Sequence, residues 1–146
     1  MRKIAMLTGA VAVSAATMLS TMVPASAATT DDNIVEVTAA NYDSVLKSSA
    51  DKLVIFDFNA TWCGPCQAMK PVIEKLAKEG ADAGKWTLAS VDVDNNKAIA
   101  DQYKIEYIPT LAPVRNSEEL KDSRQIGYDG DPAALEKYIK DQLAKG

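Results

Sequence analysis

The stretch KLVIFDFNATWCGPCQAMKPVIEKLAKE, residues 52–79, constrains the fold of this chain more than any other. It opens on an apolar run of β-branched and aromatic residues, the pattern of a central strand buried on both faces. It ends on Met69, Val72, Ile73, Leu76 and Ala77, which recur at intervals of three and four and predict an amphipathic helix to about Glu79. Between the strand and the helix stand Cys63 and Cys66, the only cysteines of the chain.

The rest of the sequence continues in the same style. IVEVT alternates as a short strand from Ile34, and Thr38 is positioned to cap a helix carrying Tyr42, Val45 and Leu46. Gly80 and Gly84 bracket the exit of the long helix. WTLASVDV is a further strand, with Trp86 in the core, and Asp94-Asn95 would cap a short helix ending near Tyr103. TLAPV and SRQIGY read as two more strands around the polar turn RNSEELKD. Asp131 as N-cap and Pro132 in the first turn open a last helix with Leu135, Tyr138, Ile139 and Leu143 inward. The order β-α-β-α-β-α-β-β-α indicates an α/β sandwich around a mixed sheet. Two prolines strain this pattern. Pro113 cannot donate to a ladder, so its strand must end early, bulge, or turn that position outward. Pro71 removes a helical hydrogen bond and predicts a kink near Gln67.

Residues 1–27 read as a signal peptide. Arg2 and Lys3 precede an uncharged segment, Ile4 to Val23, and Ala25-Ser26-Ala27 is a small-x-small cleavage site. The competing reading is an uncleaved membrane anchor, since about twenty uncharged residues span a bilayer. Cleavage would leave a linker, residues 28–33, and one domain, residues 34–146, exported to the periplasm or the extracellular space. The full chain carries a formal charge of −4, and loss of Arg2 and Lys3 takes it to about −6. No basic run remains to track a phosphate backbone, which argues against nucleic acid as a partner.

The cysteine pair has three possible uses. A structural zinc site needs four ligands, and the chain has no histidine and no second cysteine pair. A purely structural disulfide gains little from closing so small a loop. Reversible dithiol–disulfide exchange suits a small ring that opens and closes. Cys63 would sit at the helix N-terminus, where unpaired N–H groups and the macrodipole favour a thiolate. Cys66, one turn into the helix, would be less exposed and suited to resolving a mixed disulfide. Gly64 permits close approach of a substrate, and Pro65 fixes the first turn.

WCGPC in this setting resembles the active site of the thioredoxin family. VIFDFNATWCGPCQAMKP resembles the family's strand, site and helix, including Asp57, Ala60, Trp62 and Pro71. Ile108-Pro109-Thr110 is similar to its cis-proline loop, and Gly127 to a glycine bordering the substrate groove. The resemblance covers about residues 50–145. It implies a thioredoxin fold, with Cys63 as nucleophile, Cys66 as resolving cysteine and Asp57 as its proton acceptor. It also implies a cis Pro109 that sets the Ile108 backbone beside Cys63. No metal or organic cofactor is implied, since the redox group is the Cys63–Cys66 pair itself. Trp62 is expected as a packing aromatic beside the site.

Three positions depart from the family pattern. Asn59 stands where an aromatic is usual, Ser90 where many bacterial members have a lysine near the buried aspartate, and Tyr107 where a small residue precedes Ile-Pro. The terminal hairpin is also about two residues longer than usual. The expected function is an exported, monomeric protein-disulfide reductant. In an oxidising compartment it would draw electrons from a membrane thiol-relay donor. The alternatives are a disulfide oxidant or isomerase, a reductant for haem-protein maturation, and a binding module without turnover.

Overall fold

The computed structural model describes residues 33–145, so the expected signal peptide and residues 28–32 of the expected linker lie outside the described residues. The elements run β1 (Ile34–Glu36), α1 (Tyr42–Ser48), β2 (Leu53–Asn59), α2 (Gly64–Glu79), β3 (Trp86–Asp92), α3 (Lys97–Gln102), β4 (Thr110–Arg115), β5 (Glu118–Glu119), β6 (Gln125–Ile126) and α4 (Pro132–Leu143). The sheet order is β1-β3-β2-β4-β5, with β6 also on β4. β1, β3 and β2 are parallel, and β4 is antiparallel to β2, β5 and β6. This is the thioredoxin fold, a mixed sheet flanked by helices, with one more short strand than the sequence pattern indicates.

The central position of β2 follows from its composition. Leu53 to Phe58 are all buried, so the strand needs cover on both faces. The two-residue period divides them. Val54, Phe56 and Phe58 join Tyr42, Val45, Ile99 and Tyr103 in one core layer, beneath α1 and α3. Leu53 and Ile55 join Met69, Ile73, Trp86, Leu135 and Ile139 in the other, beneath α2 and α4. Trp86 is fully buried, as expected. Burying each of these large side chains contributes about 1.5–3 kcal/mol. Asp57 and Asn59 share the parity of Leu53 and Ile55, and so lie on the α2 face.

Asn33, expected in the linker, is already tied into the domain. Its Nδ2 donates to the Ala77 carbonyl at 3.1 Å, and its own carbonyl accepts from Leu88 N–H at 2.8 Å. Thr38 does not cap α1. The residue before the helix is Asn41, whose Oδ1 accepts from Thr38 N–H and whose Nδ2 donates to the Glu36 carbonyl, both at 2.8 Å. The side chain thus pins the turn back onto β1.

α3 likewise starts later than Asp94-Asn95 suggests. Asp92 at the end of β3 accepts from Asp94 N–H and from Asn95 Nδ2, and its carbonyl accepts from Asn96 N–H. The turn is satisfied from upstream, and the helix begins only at Lys97.

β4 passes through Pro113 without interruption, opposite Ile55. The Pro113 carbonyl accepts from Leu120 N–H on the outer side of β4. In a strand the N and O of one residue point the same way, so the missing N–H also faces outward. It falls between the short stretches covered by β5 and β6, and the outward-facing solution is the one adopted.

The expected strand SRQIGY is reduced to Gln125–Ile126, and Glu118–Glu119 pairs within the expected turn. The intervening backbone is used otherwise. Residues Lys121–Ser123 form a 3-10 turn, Arg124 binds Glu119 and the Tyr103 carbonyl, and Tyr138 Oη donates to the Ser123 carbonyl. α2 runs unbroken through the exposed Pro71. It ends at Gly80, where a Cβ would lie 2.5 Å from the Leu76 carbonyl oxygen.

Candidate active site

The turn from β2 into α2 places both cysteines. Cys63 is the N-cap of α2 in extended conformation, and its Sγ accepts from Cys66 N–H at 3.2 Å. A sulfur thus fills the role that a capping oxygen usually takes, satisfying one otherwise unpaired N–H of the helix. Cys63 N–H and Gln67 Nε2 both donate to the Ala60 carbonyl, which fixes the turn. Cys63 and Cys66 form a disulfide, and they are 5% and 2% exposed. Cys66 is the less exposed of the two, by a small margin. Gly64 beside them is exposed, and a Cβ there would meet nothing within 4 Å, so that side of the pair is open. Pro65 occupies the first turn of α2.

Asp57 lies under α2 on β2, 5% exposed. Burial is the chief reason its pKa rises to about 7; the hydrogen bond from Asn59 and the charge of Lys70 pull it down, and Glu74 pushes it up. Its Oδ1 has no hydrogen-bond partner, while Oδ2 accepts from Asn59 Nδ2 at 3.2 Å. The same Nδ2 lies 3.0 Å from Ser90 Oγ, and Ser90 is the residue opposite Asp57 in the β2–β3 register. Two of the three departures from the family pattern therefore meet at the buried carboxyl. The sequence signal was available in Asn59, two residues from Asp57 on the same strand face. The resemblance puts Ser90 near Asp57, and the register sets it directly opposite.

The groove residues also come together. The Ile108–Pro109 bond is cis, and Ile108 packs against Ala60, Cys63 and Cys66. Gly127, with φ of 83°, donates its N–H to the Pro109 carbonyl at 2.8 Å. Thr110 is buried, pairs with Phe58 and with Ile126, and donates its hydroxyl to the Tyr107 carbonyl at 2.7 Å. Val93 packs on the cysteine pair too, a contact that sequence reading missed because Val93 lies in the turn just beyond β3.

Trp62 is not a packed aromatic. It is 69% exposed, and its indole N–H donates to Asp94 Oδ2 at 2.8 Å. Tyr107 and Ile126 are the other large hydrophobic side chains exposed among the described residues, at 66% and 62%. These three precede Cys63, Ile108 and Gly127 in the chain, so the exposed apolar surface rims the site. Trp62 and Tyr107 share a cleft of 340 Å³ with Ile105, Glu106 and Ile108. Among the described residues no cluster of three His, Cys, Asp or Glu is placed to hold a metal ion. No helix there is long and apolar enough to cross a membrane.

A cysteine pair at a helix N-terminus, beside a cis-proline loop, is built for dithiol–disulfide exchange, and the fold carries it as a single α/β domain. The comparisons with known proteins narrow that class. The thioredoxin family matches residues 33–141. Thioredoxin-2 of Saccharomyces cerevisiae is 40% identical over 102 residues, 70% of this chain and 90% of the relative. Thioredoxin of Mycobacterium tuberculosis is 39% identical over 99 residues, 68% and 81% of the two chains. Among solved structures, a mutant thioredoxin from Halobacterium salinarum superposes with a TM-score of 0.62 at 32% identity, covering 77% of this chain and 92% of its own. The chain belongs to the thioredoxin family. It is a disulfide-reducing oxidoreductase that acts on protein disulfides, and its redox group is its own cysteine pair.

Proposed function

We propose that the mature chain, Ala28 to Gly146, is an exported, monomeric thiol reductant of the cell envelope, recharged by a membrane thiol-relay donor. The chemistry rests on one observation above all: Cys63 Sγ lies on the N-terminus of α2, accepting the Cys66 N–H. The proposed location rests on the charge and cleavage pattern of residues 1–27.

In the reduced chain, the Cys63 thiolate attacks one sulfur of a substrate disulfide. The substrate S–S bond breaks, one substrate thiolate leaves, and a mixed disulfide with Cys63 forms. Cys66 then gives its proton to Asp57 and attacks Cys63 Sγ. The second substrate thiolate departs, two electrons have passed to the substrate, and the Cys63–Cys66 disulfide remains. A carboxyl with pKa about 7 is suited to take and return a proton near neutrality. The exposed rim of Trp62, Tyr107 and Ile126 seats an apolar stretch of the substrate. Ile108 presents backbone to it, in a loop shaped by cis Pro109 and fastened by Thr110 and Gly127.

The test is to fractionate cells expressing the full chain and trap free thiols with an alkylating reagent. A reductant fed from the membrane is recovered outside the cytoplasm with Cys63 and Cys66 alkylated, and becomes a disulfide when membrane thiol relays are deleted. Recovery in the cytoplasm, or a steady-state disulfide that is indifferent to those deletions, contradicts the proposal.

A further inference from the structure

We infer that Asn59 is a positioning residue for the exchange reaction: its carboxamide, braced on Ser90, holds the Asp57 carboxyl and couples the proton on that carboxyl to the resolving step. This deepens the reading above and rests on Asp57 as the proton acceptor. The geometry leaves little choice of orientation. Asn59 Nδ2 lies 3.0 Å from the Asp57 main-chain carbonyl, 3.2 Å from Asp57 Oδ2 and 3.0 Å from Ser90 Oγ. A carbonyl oxygen only accepts, so the NH₂ and not the amide oxygen must face Asp57.

An amide N–H donates and cannot accept. It therefore favours the ionised carboxylate and opposes the effect of burial. The other oxygen, Oδ1, is buried and unpartnered, free to receive a proton.

The other side chains that act on Asp57 are charged. From α2, Lys70 and Glu74 act on Asp57 with opposite signs. From β4, the residue opposite is the apolar Leu111. Outside Asn59 and Ser90 lies a cleft of 290 Å³ lined also by Glu36 of β1, Asp92 of β3, and Lys70, Glu74 and Lys78 of α2. Asn59 thus stands between the buried carboxyl and a cleft lined by charged side chains. Its two-residue offset from Asp57 keeps both on one face of β2.

The deciding experiment is a pH titration of the oxidised wild-type protein by NMR, following the Asp57 carboxyl carbon and the Asn59 side-chain NH₂ together. The inference expects both to titrate with one midpoint. An Asn59 signal that stays flat while Asp57 titrates overturns it.

A second measurement uses Asn59→Leu, which keeps the bulk and removes the donor. Losing a hydrogen bond to a charged group moves the Asp57 midpoint up by about one pH unit. The pH profile for resolving a preformed mixed disulfide should move up with it. A folded Asn59→Leu protein with both midpoints unchanged makes Asn59 merely structural. The titration needs no turnover, so its result is separate from the reductant reading. Coupled titration in a protein that reduces no protein disulfide would refute that reading and leave the Asn59–Asp57 contact standing.

Discussion

Gly127 donates its backbone N–H to the carbonyl of Pro109 at 2.8 Å, fastening the last short strand to the loop beside the cysteines. Gly127 has φ of 83°, and a Cβ added there would meet nothing within 4 Å. The cost of a side chain is therefore conformational and not steric. Gly127→Ala should lower the unfolding free energy by about 1–2 kcal/mol. It should also reduce kcat/KM severalfold for a protein disulfide and less for a small-molecule disulfide. Equal losses on both substrates would remove Gly127 from the groove.

Asp57 gives the fold a pH dependence of definite sign. Its pKa is about 7 in the native state against 3.8 ordinarily, so the native state holds more protons than the unfolded chain between these values. Stability is full below about pH 3.8 and falls as pH rises towards about 7, by up to about 4 kcal/mol from this group. Asp57→Asn should flatten the profile across that window and be more stable than wild type at pH 8. Urea unfolding of the oxidised proteins at several pH values reads this directly. A wild-type profile that rises from pH 4 to 7 through this group would contradict the assignment.

The two cysteines should separate cleanly by substitution. Cys66→Ser leaves the attacking sulfur and removes the resolving one, so mixed disulfides with substrate proteins should accumulate on Cys63. Cys63→Ser should form none and lose turnover. Non-reducing electrophoresis distinguishes the two, and adducts on the Cys63→Ser protein would reverse the roles.

Trp62, Tyr107 and Ile126 are each more than 60% exposed, so truncating any of them should change stability by no more than about 0.5 kcal/mol. Each alanine variant should nonetheless raise KM for a protein disulfide severalfold while leaving reduction of a small disulfide intact. Unchanged KM in all three would show that the rim does not seat substrate.

How much of this was legible beforehand depends on how local the determining physics is. β2 and α2 could be read directly, because a doubly buried strand and a 3.6-residue period each leave a pattern in one segment. The place of Cys63 at the helix N-terminus followed from that junction; its capping contact with Cys66 N–H did not. Other features are decided by partners distant in sequence. The resemblance put Ser90 near Asp57, but its contact with Asn59 depends on the β2–β3 register, and Pro113 is tolerated because the gap between β5 and β6 falls beside it. Asn41 and Asp92 displaced the expected caps because their side chains found acceptors and donors across a turn. Trp62 is an aromatic that its type suggests should pack beside the site, yet Thr61 before it is itself exposed and Asp94 holds its indole at the surface.

The most direct test of the account is the reduction potential of Cys63–Cys66 in the mature chain, equilibrated in graded dithiol buffers and followed by tryptophan fluorescence. A reductant of this family should give a value near about −270 mV. A value of about −180 to −120 mV, the range of isomerases and oxidants, would contradict the reductant assignment and make disulfide formation or isomerisation the function of this site.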